Sequence, residues 1–262
     1  MAKLPRNESI ARSIMRPLER EATPEGNYLV QPKLNGVFAR WDSKSQRLFS
    51  KTGVAFEDYI VPHVYAALRG YSSTDFDGEL WSPTMTLNQI AGAVSHENRN
   101  PAVGINFWPF DIANMFAGFA VRHKHLCEIY NLAHVVPLLD ADHVESMDPN
   151  DCRYDGTVHK FAKGLYVPGE SANCIKVKFY KDIDCVVVGV EQGTPGKTFT
   201  EGLGALRCLT PWGKEFSVGA GFTIDQRYTF IDNPPAAVKV KYLNLSPYKT
   251  PLNPVFLGVT EL

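Results

Sequence analysis

Beyond Asp182 the sequence is cut into short apolar runs, at 185–190, 203–209, 215–218 and 237–242, separated by glycine and polar turns. A segment punctuated this way cannot form long helices. It has to satisfy its backbone by pairing short strands, and the pattern predicts a small all-β, five-stranded barrel. The residues before it have a different texture. Helical apolar spacing at 8–21, 58–69, 84–96 and 116–131 alternates with strand-like runs at 28–40, 47–50, 76–81, 105–112, 154–160 and 174–180. The chain therefore reads as α+β with two domains, 1–180 and 181–262, joined near Lys181.

Composition narrows the function classes. A hydrophobic share of 44% and a charged share of 21% are those of an ordinary soluble protein. The first residues lack the apolar core of a signal peptide and no run reaches membrane-spanning length, so a cytoplasmic protein without a membrane partner is expected. The five cysteines (127, 152, 174, 185 and 208) contain no Cys-x-x-Cys pair, which argues against a zinc ribbon or a disulfide framework. The net charge of -1 is unevenly spread. Residues 1–50 carry nine Lys and Arg against five Asp and Glu, residues 51–160 seven against fourteen, and residues 161–180 three against one. That pattern suits a local anion site better than a basic coat; it permits nucleic acid without demanding it.

The residues with chemistry in them sit at turns and strand ends. Lys33 lies between the apolar run 28–30 and the turn at Gly36, a spacing that predicts a strand–turn–strand hairpin with one amine at its end. Such a lysine is ordinarily a solvated charge; it becomes a nucleophile only where its surroundings favour the neutral amine. Glu79 stands among apolar neighbours in a strand-like run and needs a cation, a metal or a ligand hydroxyl there, unless it lies on an exposed edge. Asp155 opens the run 154–160 at a turn. Lys176 and Lys178 alternate with Ile175, Val177 and Phe179, so both lysines share one strand face, where a phosphate between them would relieve their repulsion. Phe110 is core by default, though one ring of its run could stack on a base. The run 8–21 reads as a packing helix, and His123 and His125 as solvated. Residues 193–198, Gly-Thr-Pro-Gly-Lys-Thr, imitate a P-loop, but Glu191 stands where the first glycine is required and the segment joins two strands, so it reads as a hairpin loop.

In order, these segments resemble the covalent nucleotidyltransferases, specifically small ATP-dependent DNA ligases of bacteriophage type, over about residues 27–258. The resemblance rests on Lys33-Leu34-Asn35-Gly36, on Ser50-Lys51-Thr52-Gly53, on Asp77-Gly78-Glu79-Leu80 and on Phe110-Asp111. It continues through Asp155-Gly156, Lys176-Val177-Lys178 and the turn Val218-Gly219-Ala220-Gly221-Phe222. It implies a nucleotidyltransferase (adenylation) domain of antiparallel sheets with helices, followed by an oligonucleotide-binding (OB) barrel that contacts DNA. It further implies that Lys33 attacks the α-phosphorus of ATP and becomes a lysyl-AMP. The AMP then passes to the 5′-phosphate of a nick, and the 3′-hydroxyl displaces it. Lys176 and Lys178 suit the α-phosphate. Glu79 suits ribose hydroxyls or metal, and Asp155 suits Mg2+. Phe110 suits the face of the adenine and Gln31 its edge. The partners implied are ATP and nicked duplex DNA, bound by a monomer.

The sequence departs from the family pattern at four places. Asn35 replaces the usual Asp, and Phe38 the usual ribose-binding arginine, leaving Arg40 or Lys51 to substitute. Asp155 is one methylene shorter than the usual Glu. Leu252 stands where a basic motif normally begins, with Lys249 as a candidate replacement. Two alternatives follow: an RNA ligase or capping-type nucleotidyltransferase, and a catalytically degenerate protein that binds nicks or nucleotides.

Overall fold

A computed structural model describes residues 5–194, 201–246 and 248–261, apart from the side chain of Leu132. The chain divides into two compact units, Met1–Lys178 and Phe179–Leu262. In the first, chain order runs α1 (Glu8–Ser13), β1 (Met15–Arg20), β2 (Tyr28–Leu34), β3 (Val37–Asp42), β4 (Arg47–Phe49), α2 (Pro62–Leu68), β5 (Phe76–Trp81), α3 (Leu87–Ala93), β6 (Asn106–Ile112), α4 (Phe119–Ile129), α5 (Ala141–Glu145), β7 (Tyr154–Phe161) and β8 (Gly169–Lys178). The strands make two four-stranded sheets, in the orders β1-β8-β7-β2 and β4-β3-β5-β6. Every pairing is antiparallel except that of β1 with β8. The main core covers the second sheet, where Trp41, Leu48, Phe76 and Leu80 are completely buried together with Ile60 and Leu68.

Three expectations are corrected here. The helix expected over 8–21 stops at Ser13, and Met15–Arg20 is a strand. Pro17 explains this, because inside a helix it would remove a hydrogen bond and clash with the preceding turn. The expected lysine hairpin is not one: β2 and β3 belong to different sheets, and the chain crosses between the layers at Asn35-Gly36. His123 is buried rather than solvated. Its Nε2 lies 3.1 Å from the Val136 carbonyl oxygen, and burial holds its pKa below the usual imidazole value.

The second unit contains β9 (Lys181–Gln192), β10 (Leu203–Leu209), β11 (Glu215–Val218), α6 (Ile224–Asp232), β12 (Ala237–Tyr242), the short pair β13 (Asn244–Leu245) and β14 (Pro251–Leu252), and β15 (Val255–Val259). Five strands form one sheet in the order β11-β10-β9-β12-β15, and a bridge from Ala220 to Val255 ties its two edges into a closed curl. Its core contains Cys185, Leu206, Cys208, Val218, Val238 and Val240, with Phe222 stacked on Phe256 at 4.5 Å. The helix α6 is an addition to the expected all-β barrel, and its start is written in the sequence. Thr223 and Gln226 form a capping box that satisfies the first turn's backbone donors. Residues 195–198 of the P-loop-like segment lie outside the described residues.

Candidate active site

The first unit contains a cleft of about 340 Å³ between its two sheets. Strand alternation puts Gln31 and Lys33 of β2 on the face that lines it. Across from Lys33 the β2–β7 register slips. Pro32 pairs with Thr157 and Leu34 with Tyr154, so Asp155 and Gly156 together oppose Lys33 alone. This bulge turns Asp155 toward the lysine. Lys33 Nζ lies 2.8 Å from Asp155 Oδ1 and donates to Oδ2 at 2.9 Å. Oδ1 is buried and accepts no aligned hydrogen bond. Gly156 is required here: its φ is +141°, and a Cβ would sit 2.0 Å from the Val177 carbonyl oxygen. Gly36 is required on the other side, since a Cβ there would meet the Leu80 carbonyl oxygen at 2.6 Å and Glu79 Cγ at 2.7 Å.

Glu79 is not on an edge; β5 lies between β3 and β6. Burial raises its carboxyl pKa to about 8, Asp155 adding to the rise while Lys33 and Lys51 oppose it. Its carboxylate also accepts from the Gly36 N–H. Lys51, in the turn after β4, lines the same cleft, and its amine is pushed below the usual lysine value by partial burial and by Lys176, Arg16 and Lys33. Lys176 and Lys178 project from β8 on one face, as their spacing predicts. The anion between them is a carboxylate of the chain itself: Glu19 Oε2 lies 3.2 Å from Lys176 Nζ and 3.0 Å from Lys178 Nζ. Glu19 is in β1, in register with Lys176.

The rest of the cleft is more apolar. It is lined by Ile14, Phe38, Phe110, Val136 and Val158. Gln31 is 2% exposed, and its Nε2 donates to the carbonyls of Val136, at 3.1 Å, and Phe110, at 3.4 Å. Beneath Phe110 a charged group is fully enclosed. Asp111 accepts from Arg122 Nε at 2.7 Å, from Arg122 Nη2 at 3.1 Å and from Lys160 Nζ at 3.1 Å. Burial opposes its ionisation, but Lys160 and Arg122 overcome that and hold its carboxyl below the usual range. Lys160 Nζ also lies 4.5 Å from the centre of the Phe110 ring.

Eight of the ten residues singled out from the sequence line the cleft: Gln31, Lys33, Lys51, Glu79, Phe110, Asp155, Lys176 and Lys178. Asn35 holds the crossover instead, its side chain donating to the Cys152 carbonyl at 2.9 Å and its N–H to the Arg153 carbonyl at 2.9 Å. Arg40 is the correction. It is 2% exposed, donating to Asp77, to Tyr166 Oη at 2.6 Å and to Ser13 Oγ at 3.2 Å, and Asp77 keeps its guanidinium charged despite burial. A side chain so enclosed is not offered to a ribose, which leaves Lys51. Glu19, Lys160 and Tyr166 escaped the sequence reading. Pro17 was the available signal for Glu19, because it makes 15–20 a strand; nothing local announced the other two. Lys249 lies in the second unit, where its carbonyl accepts from Trp212 Nε1 at 2.8 Å.

Comparison with known proteins agrees with this architecture. Residues 195–259 match the family model of the DNA ligase OB-like domain. No curated protein sequence matches the chain. Among solved structures, a Lig E DNA ligase, from work on DNA binding with a minimal scaffold, superposes with a TM-score of 0.74 at 22% identity, covering 94% of this chain and 98% of that one. A Chlorella virus DNA ligase-adenylate gives 0.52 at 18%, covering 95% and 98%. The ligase domain of M. tuberculosis LigD gives 0.50 at 18%, covering 94% of each. The chain shares the fold of these DNA ligase structures, and its residues 195–259 are similar to a DNA ligase OB-like domain.

Proposed function

We propose that this protein is an ATP-dependent DNA ligase that seals nicks in duplex DNA through a lysyl-AMP intermediate on Lys33. The observation carrying the proposal is the convergence of Lys33, Lys51, Lys176, Lys178, Glu79 and Asp155 on one cleft of about 340 Å³. That volume is at the small end of ligand sites, suited to a mononucleotide. The apolar end with Phe110 and Gln31 suits adenine, and the lysines suit phosphate.

In the first step the Lys33 amine, having shed its proton, attacks the α-phosphorus; an N–P bond forms and the bond to pyrophosphate breaks. Asp155, 2.8 Å from Nζ, orients the amine and is placed to take the proton. Lys176 and Lys178 stabilise charge on the non-bridging oxygens. Next a 5′-phosphate oxygen of the nick attacks the same phosphorus and Lys33 leaves. The 3′-hydroxyl then attacks the 5′-phosphorus, and AMP departs as a phosphodiester forms. Each step is mainly positioning and charge neutralisation, which this constellation provides. The OB-like unit would bind the DNA backbone.

The residues fit a magnesium ion. Asp155 Oδ1 is buried without an aligned hydrogen bond, and Glu79 keeps its proton up to about pH 8, a cost that a cation beside it would relieve. Glu79 and Asp155 would hold the ion, which when bound would supply charge neutralisation at the phosphates. Among the described residues no group of three or more His, Cys, Asp or Glu converges, so water and phosphate oxygens would complete its shell.

Incubation with magnesium and α-labelled ATP followed by denaturing electrophoresis tests the proposal, with Lys33→Ala alongside. Label on the wild type but not on the variant supports it. GTP and NAD, then nicked DNA and nicked RNA, separate it from the capping-type and RNA-joining alternatives. No label from any nucleotide on folded protein not already adenylated overturns it.

A further inference from the structure

The lysine pair that faces the phosphate end of the cleft already holds an anion. Glu19 Oε2 sits between Lys176 Nζ and Lys178 Nζ at 3.2 and 3.0 Å, so a single oxygen bridges both ammonium groups. Its position is built into the sheet. β1 runs parallel to β8 with Glu19 in register with Lys176, and Pro17 and Met15, two and four residues earlier on the same strand, line the cleft. The Lys176 and Lys178 side chains are 24% and 20% exposed and that of Glu19 39%, so the carboxylate lies at the solvent side and has somewhere to go. A phosphate oxygen seated on the two lysines would meet this carboxylate, with like charge against like charge.

We propose that Glu19 is an internal counter-ion that occupies the phosphate-binding lysine pair and has to be displaced by the incoming phosphate, so that it weakens nucleotide binding. This rests on the function proposed above and adds a residue that sets the affinity of that site. Before nucleotide arrives, the carboxylate keeps the two ammoniums together despite their repulsion. When a phosphate arrives, the lysines exchange one anion for another and Glu19 turns to solvent. The net gain from binding is then the difference between two ion pairs rather than the whole of one.

The test uses a Lys33→Ala chain, which prevents turnover, with and without Glu19→Gln, and measures binding of ATP and of inorganic phosphate by calorimetry. The Gln variant removes the charge while keeping size, and is expected to bind both probes about three- to tenfold more tightly, the size of effect a partly exposed ion pair produces. Glu19→Asp, whose shorter carboxylate reaches both lysines less well, should fall between. In the otherwise wild-type protein, Glu19→Gln should lower the KM for ATP with little change in kcat for adduct formation. Affinity unchanged or weakened by Glu19→Gln, in protein with a wild-type melting temperature, overturns the inference and leaves adduct formation on Lys33 standing. Tighter phosphate binding by the Gln variant, with no ATP binding by either chain, upholds the counter-ion role and overturns the ligase proposal. Binding of neither probe to either chain overturns both. Should Glu19→Gln fail to fold, the Asp variant decides by the same comparison.

Discussion

Two groups of cations and carboxylates lie a few residues apart in the first unit, and they behave oppositely. Arg40–Asp77–Tyr166 and Arg122–Asp111–Lys160 are enclosed: the five charged residues are between 0 and 2% exposed, and their carboxylates accept several donors each. Lys33–Asp155 and Lys176–Glu19–Lys178 are open. Their side chains are 11 to 39% exposed, one carboxylate oxygen serves two ammoniums, and another carboxylate oxygen accepts no aligned hydrogen bond. The enclosed groups fix the shape of the cleft because breaking them strands a buried charge. The open groups are reachable from solvent, which is what the anion site proposed above requires. Charge alone does not single out a candidate functional residue; its exposure in the cleft does.

That contrast can be broken by mutation. Lys33→Ala should reduce labelled adduct roughly a thousandfold or more while leaving the melting temperature near wild type; an adduct of wild-type yield would move the chemistry to another residue. Asp111→Asn touches the enclosed group and should cost about 3–5 kcal/mol of stability, because it leaves Lys160 and Arg122 without their buried partner. Denaturant unfolding measures this, and a loss below about 1 kcal/mol would mean that the group is not structural.

The pH dependence of Glu79 sharpens the comparison further. Its carboxyl is raised from 4.5 to about 8 by folding. Between those values the unfolded chain releases this proton and the folded chain retains it, so the residue's contribution to stability falls as pH rises through the window. Glu79→Gln should therefore gain about 3 kcal/mol relative to wild type between pH 5 and pH 8, seen by unfolding at the two pH values without nucleotide or divalent cation. Arg47→Ala serves as the control. Its 3.4 Å pair with Glu57 joins two side chains that are nearly half exposed, and its loss should change stability by less than about 0.5 kcal/mol.

Most of the open groups were legible in the sequence, and most of the enclosed ones were not. Lys33, Glu79, Asp155, Lys176 and Lys178 stand out because a charge in a strand-like run needs a reason, and strand periodicity tells which of them share a face. The partners of Arg40 and Asp111 are set by layers meeting in three dimensions. Tyr166 is 126 residues from Arg40 and Lys160 is 49 from Asp111, and no local pattern specifies such distances. The same limit produced the hairpin expectation at Lys33. Local sequence announced a turn at Gly36, but not that the chain would leave one sheet for the other there. The strand at 15–20 was different: Pro17 was visible, and the apolar spacing around it was followed instead.

The bulge opposite Lys33 carries a consequence for how this fold tolerates change. Side chains on a strand alternate like odd and even numbers, yet Asp155, Val158 and Lys160 of β7 all line the cleft. The surplus residue at Asp155-Gly156 resets the count, so that odd positions before it and even positions after it face the same way. Loss of the bulge with the residue count kept would send Asp155 to the opposite face while Lys160 stayed in place, because three residues separate Asp155 from Val158. Deletion of Gly156 itself would leave Asp155 two residues before Val158, on the cleft face by plain alternation, which makes the backbone conformation at Gly156 as much a part of the site as the side chains themselves.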